Sequence, residues 1–292
     1  MELDWYVYAL LSAIFVGIVG IFNKKILNHE HALEFTASRG IFLGVFSLFL
    51  IPFVNFGISW KIYLLIYLIS LIACVGLLFF MKSVRHGEVS VVAPLTNISP
   101  LFLVIIAFFV LNEIPTSKQY IGIFLLVVGA YSLEVGITNK GFIEPIKGFV
   151  KSKIVHHLLI ALVIFSMTAV LDKMILDKYA SIITYLFVFT IFKSINFIII
   201  ESYKHGFSEI KNDLKKDFKL LLPDSILLFF GHVFYLLAVA APGASISLVI
   251  PIKRMSTLFT TIFGGSLFHE KNLLIKVLAC IIMIWGAVFI LL

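Results

Sequence analysis

A chain of 292 residues that is 61% hydrophobic and only 13% charged, with a mean hydropathy of +1.10, lies far outside the soluble range. Its net charge of +7 would suit a nucleic-acid partner in a soluble protein, but in a membrane protein it is read first as loop bias. The apolar residues run in stretches of about 20, enough for a helix to cross roughly 30 Å of hydrocarbon, which excludes a barrel of short alternating strands.

Interruptions by charge, Pro, Gly or Asn divide the chain into predicted spans at residues 5–23, 32–54, 62–81, 90–111, 117–136, 154–176, 181–201, 220–240, 244–268 and 272–292. The first run has neither a basic leader nor a small-residue cleavage site and reads as a retained span. Connections are short, as in a compact bundle, except for Gly136–His157 and the mixed-charge segment Ser202–Lys219. Cys74 and Cys280 both fall inside apolar runs, which predicts neither a disulfide nor a metal, and no cofactor is expected.

The fourth and ninth spans share a layout. PLTNISPLFLVIIAFFVLNE (Pro94–Glu113) and PIKRMSTLFTTIFGGSLFHE (Pro251–Glu270) both run from proline to glutamate over the same length. Ser90 precedes its proline as Ser247 does, and Gly129-Ala130 follows its glutamate as Gly286-Ala287 does. Gly20–Leu27 (GIFNKKIL) likewise parallels Ala169–Leu176 (AVLDKMIL). Spans 1–5 therefore pair with spans 6–10, and an odd number per unit turns the second copy upside down. The expected fold is an all-α polytopic membrane protein of ten transmembrane helices in two inverted five-helix repeats, residues 1–136 and 154–292, joined by a linker at 137–153. Inverted repeats suit carriers that work about a midplane site.

Most of the 23 Lys and Arg residues fall in loops opposite the termini, which the positive-inside rule makes cytoplasmic, with both termini outside.

With Pro94 and Pro100 inside the fourth span, Asn112-Glu113 ending it, and KQYIGIFLLVVGAYSL with Gly122 and Gly129 following, the sequence resembles the drug/metabolite transporter superfamily in its ten-span form with two EamA domains. Pro251, His269-Glu270 and Gly286 are the second-half counterparts, and Arg39 in ASRGIFLG sits where the family tends to place an arginine. Thr257 departs from the pattern opposite Pro100, as do Asn112 and His269 where a glycine is usual. The resemblance implies a transporter in the cell membrane, with both termini in the cytoplasm, against the loop bias.

Charge at membrane depth costs about 2.5–3.5 kcal/mol on insertion scales, so Lys253, Arg254, Arg39 and Lys193 are candidates for substrate binding or gating. Thr96 and Asn97 hold the positions matching Lys253 and Arg254, and Pro94 and Pro251 are expected to open their helices beside them. The bland alternative pairs Lys253 and Arg254 with acids such as Asp224 or Glu201, or lets them reach an aqueous vestibule, and pairs Arg39 with Glu34. His232 and Tyr235, three apart on one face of the eighth span, could bind substrate or carry a proton, or simply pack. Asn23 and Asp172 match across the halves and are read as ending their helices at the interface. Glu113 and Glu270 are read as caps of the fifth and tenth spans. Gly40, Gly44, Gly122, Gly129, Gly264 and Gly265 permit close helix approach, and Gly264-Gly265 also suits a hinge.

The expected activity is secondary transport of a small organic metabolite, such as an amino acid or organic acid, by alternating access between the repeats. Its partners would be that substrate, membrane lipid and a coupling ion, with no nucleic acid. The alternative is a lipid or lipid-linked substrate translocator. An intramembrane enzyme is disfavoured: His29-Glu30-His31 lacks metalloprotease spacing, no G-x-S-x-G occurs, and the absence of a G-x-x-x-x-G-K-[ST] loop disfavours ATP-driven transport.

Overall fold

The computed structural model describes residues 3–27, 30–86, 95–138, 152–206, 210, 214, 216–259 and 273–292, and among these there is no strand. The α-helices are α1 (Trp5–Leu27), α2 (Ala32–Leu48), α3 (Trp60–His86), α4 (Ser99–Leu111), α5 (Ser117–Thr138), α6 (Lys153–Lys178), α7 (Ile182–His205), α8 (Phe218–Ala240), α9 (Ile246–Lys253) and α10 (Leu273–Leu291). All-helical structure follows from the solvent, since in hydrocarbon every backbone N–H and C=O must be paired within its own segment. Among the described residues, five helices, α1, α3, α6, α7 and α8, are long and apolar enough to cross a membrane.

Several helices outrun their predicted spans. Placing a boundary at the first charge ended the first, third and seventh spans at residues 23, 81 and 201, whereas α1, α3 and α7 continue to Leu27, His86 and His205. Lys, Arg and Glu are good helix formers, so charge marks the membrane edge rather than the helix end. The second helix stops early, at Leu48. Pro52 cannot continue it, and Ile51–Phe53 forms a single 3-10 turn instead.

Packing is led by four helix pairs: α5 with α10, α1 with α8, α3 with α6 and α2 with α7. Lipid offers no hydrophobic force between helices, so close approach has to come from small residues. Gly122 and Gly286 face each other across α5 and α10: a Cβ on Gly122 would meet the Gly286 carbonyl oxygen at 2.7 Å, and one on Gly286 the Leu126 backbone nitrogen at 2.8 Å. Gly129 lies equally close to Met283. Gly40 and Gly44 pack on Ser194, whose hydroxyl donates to the Gly40 carbonyl at 2.7 Å and ties α2 to α7. The expected close approach at these glycines is therefore present; Gly264 and Gly265 lie outside the described residues.

Candidate functional site

Both interrupted helices break at matching positions. In α9 the helix ends at Lys253, where the Arg254 N–H donates to the Ile250 and Pro251 carbonyls at 3.0 and 3.1 Å and Met255 to that of Ile252 at 3.0 Å. Residues 256–259 then resume the helix. In the first half, Leu95 and Thr96 are helical, Asn97 and Ile98 form the turn, and α4 begins at Ser99. Arg254-Met255 thus corresponds to Asn97-Ile98. The break was expected at the prolines themselves; Pro251 instead lies within the helix, three residues before the break, where it removes one ladder bond. Pro94 lies outside the described residues.

Three polar layers succeed one another along α8, at Asp224, His232 and Tyr235. The eight residues from Asp224 to His232 span about 12 Å at the helical rise of roughly 1.5 Å per residue. In the first layer, Arg39 Nε donates to Asp224 Oδ2 at 2.8 Å, with the two side chains 5% and 0% exposed. A second guanidinium nitrogen donates to Asn23 Oδ1, and the guanidinium carbon stands 4.1 Å from the Phe35 ring centroid.

This layer corrects several expectations. Asp224 serves Arg39 and not Lys253 or Arg254, while Glu201 pairs with His205 at 2.7 Å. Glu34 does not reach Arg39: five residues along a helix turn the two side chains about 140° apart. Glu34 instead accepts from the His31 backbone N–H at 2.9 Å, capping α2. Asn23 ends no helix, since α1 runs on to Leu27.

The second layer is cationic. Lys193 of α7, His232 of α8 and Lys253 at the end of α9 lie within electrostatic range of one another, Arg254 adjoins Lys253, and Arg39 lies within range of Lys193 and His232. The first four are partly buried. The ion pairs among the described residues use none of Lys193, Lys253 or Arg254. Lys253 Nζ rests 3.9 Å from the Tyr235 ring centroid, and Lys193 Nζ lies 5.8 Å from that of Phe189. Beside Lys193, the Cys74 thiol contacts the Lys193 carbonyl at 3.8 Å, and Asn196 Nδ2 donates to Ser70 Oγ at 3.2 Å.

The third layer centres on Asp172 of α6. It accepts from the Tyr185 hydroxyl through Oδ1 and from the Tyr235 hydroxyl through Oδ2, the latter at 3.1 Å, and it lies within range of Lys253 and Lys193. Asp172 was expected to end the sixth span, yet α6 continues through it to Lys178 and holds its carboxylate 9% exposed in the interior. Asp172 and Tyr185 were missed as site residues. The signal was present, because an acid inside an apolar run carries the same burial cost that singled out the cations.

Thr96 and Asn97 sit at the opposite break, but Asn97 is fully buried and its Nδ2 turns to the Ala130 carbonyl of α5 at 3.4 Å rather than to the cationic layer. Glu113 is a cap, as expected, but of another helix. Its carboxylate accepts from the N–H groups of Ile246 and Ser247, both at 3.0 Å, and from the Ser245 and Ser247 hydroxyls at 2.5 and 2.7 Å, closing the start of α9. The start of α5 is served by Thr116 and Gln119, which exchange bonds of 2.9 and 3.3 Å. That T-x-x-Q pair is a capping-box signature legible in the sequence. Glu270 lies outside the described residues.

Residues 3–134 match the model of the EamA-like transporter family. Among solved structures, one titled only as the crystal structure of a protein is similar over 98% of this chain and 94% of its own, with a TM-score of 0.72 at 13% identity, which is a likeness of fold. The comparison with curated proteins finds no match.

Proposed function

With the EamA-like segment over residues 3–134 as premise, we propose that the chain is a secondary transporter of the cell membrane that moves a small organic anion or zwitterion by alternating access. EamA membership implies a membrane transporter of the drug/metabolite type; the substrate class and the two-repeat, ten-span mechanism are the proposal's own content. The repeat is supported by how the helices pair. The α1–α8 contact is answered by α6–α3, α1–α9 by α6–α4, and α2–α8 by α7–α3, while α2–α7, α4–α9 and α5–α10 each pair with their own counterpart. Gly76 of α3 packs on Ile164 and Phe165 of α6, and Gly231 of α8 on Phe15 and Val16 of α1, the exchange expected of a two-fold relation between inverted halves.

The substrate class rests on one observation: Lys193, Lys253 and Arg254 lie together in the interior with no salt-bridged acid among the described residues, and with the carboxylate of Asp172 in range of Lys193 and Lys253. Buried cations are costly unless something compensates them, and a substrate carboxylate or phosphate would do so. Asp172 offers the complementary charge for an amine. Alternating access would then open the cationic layer past the Arg39–Asp224 layer on one side and the Asp172–tyrosine layer on the other.

The test is a solute panel scored by thermal stabilisation of the purified protein, followed by flux in reconstituted vesicles. Anionic or zwitterionic solutes are expected among the hits, with flux lowered at least tenfold in Lys253→Ala and Lys193→Ala. A panel that yields only neutral or cationic substrates overturns the reading. Lipid scrambling without any solute effect would favour a lipid translocator.

A further inference from the structure

Away from the central layers, at the end of the α2–α7 contact, three metal-ligating side chains meet. Glu201 and His205 stand four residues apart, on one face of the last turns of α7, and Glu34 comes from the first turn of α2. One donor atom from each lies within 4.8 Å of the other two. The Glu201 side chain is 0% exposed; its Oε1 meets His205 Nδ1 at 2.7 Å, and its Oε2 has no hydrogen-bond partner among the described residues. A buried carboxylate oxygen without a partner loses its hydration and gains nothing in return, which makes it the group that calls for a cation. His205 is 44% exposed and gives an ion a way in from the aqueous edge.

We infer that Glu34, Glu201 and His205 form a binding site for a divalent transition-metal ion of the zinc or manganese class. Two carboxylates bring two negative charges against the ion's two positive ones, and a neutral imidazole completes a set of hard and borderline donors. Imidazole selects against calcium and magnesium, which take oxygen ligands, and the lack of thiolate selects against the softest ions. Ligand bonds of about 2.0–2.2 Å place donor atoms roughly 3–3.5 Å apart, so binding would break the 2.7 Å His205–Glu201 hydrogen bond and bring the three donors to that separation, with the exposed imidazole moving most. A bound ion would tie α2 to α7, helices from opposite halves of the chain. This inference needs no particular substrate and does not depend on the transport reading.

The experiment is isothermal titration of Zn²⁺ and Mn²⁺ into the full-length, tag-free, chelator-treated protein in detergent, with the melting temperature followed in parallel. One saturable site per chain is expected, with a melting temperature that rises with metal concentration. Affinity should fall at least tenfold in His205→Ala and Glu34→Gln, and stay unchanged in His156→Ala, which alters an exposed histidine elsewhere. Glu201→Gln should abolish the site, but because that side chain is buried and its Oε1 holds His205, the deciding variant is Glu34→Gln, whose amide oxygen can still accept from the His31 N–H and whose metal-free melting temperature should stay close to the wild type. Absence of saturable binding, or equal binding by wild type, His205→Ala and Glu34→Gln, overturns the assignment.

Discussion

The ammonium of Lys253 stands 3.9 Å from the centroid of the Tyr235 ring. One tyrosine therefore touches charges of both signs: its face meets the Lys253 cation, and its hydroxyl donates to Asp172 at 3.1 Å. The two functions can be separated by substitution. Tyr235→Phe keeps the ring and leaves Asp172 short of a donor, a loss of about 1–3 kcal/mol for a buried acceptor. Tyr235→Leu also forfeits the cation–π contact, worth roughly 0.5–2 kcal/mol more. Thermal unfolding in detergent should rank wild type above Tyr235→Phe and Tyr235→Leu lowest; equal stability of the two variants would mean that Lys253 gains nothing from the ring.

Arg39 and Asp224 form the buried ion pair that closes the layer nearest the basic loops. Removing one member leaves the other charged and unpaired in the interior, at a cost of about 3–5 kcal/mol. Asp224→Asn and Arg39→Gln should each destabilise strongly, and an apolar double replacement, Arg39→Met with Asp224→Leu, should lie closer to the wild type than either single variant. Additive losses in the double variant would contradict a direct pair.

Glu113 secures α9 across 132 residues of sequence through the Ser245 hydroxyl, while Thr116 and Gln119 secure α5. Hydrogen exchange distinguishes the two caps. Glu113→Ala should accelerate exchange at Ile246–Val249 and leave Lys118–Ile121 protected, and Thr116→Ala should do the reverse, each at roughly 1–2 kcal/mol of local stability. If Glu113→Ala exposes α5 instead, the cross-helix cap is wrong.

The glycines divide by what stands opposite them. A methyl group at Gly122 meets backbone at 2.7–2.8 Å, whereas one at Gly40 meets Ser194 no closer than 3.5 Å. Gly122→Ala must force α5 and α10 apart and should cost about 1–3 kcal/mol as overpacking. Gly40→Ala should be near neutral or slightly stabilising. A melting-temperature series over both sites, with Gly286→Ala alongside Gly122→Ala, checks the ranking.

Much of the cationic layer, and Arg39 of the layer beside it, was legible in the sequence, because Arg39, Lys193, Lys253 and Arg254 each interrupt an apolar run, and such an interruption carries a known cost. Asp172 carried the same signal but lay in a segment that looked like a helix end, beside Lys173 and before Asp177. Lys173 in fact folds back to Asp177 and the Val239 carbonyl at 2.8 and 3.0 Å, which satisfies its charge and lets the helix run on. The buried Glu201 and its i,i+4 spacing from His205 were legible in the sequence; the approach of Glu34 depended on the crossing of α2 over α7.

Hydropathy and the length of the apolar runs by themselves determined an all-helical membrane protein, since only paired backbone survives in hydrocarbon. Which helix meets which, and hence that Asp224 pairs with Arg39, Glu113 caps α9 and Tyr235 reaches Asp172, was decided by the tertiary structure alone. In a soluble protein a stripe of apolar residues marks the face that packs. Here the lipid-facing side is as apolar as the buried one, so the pattern along each helix carries little record of its neighbours.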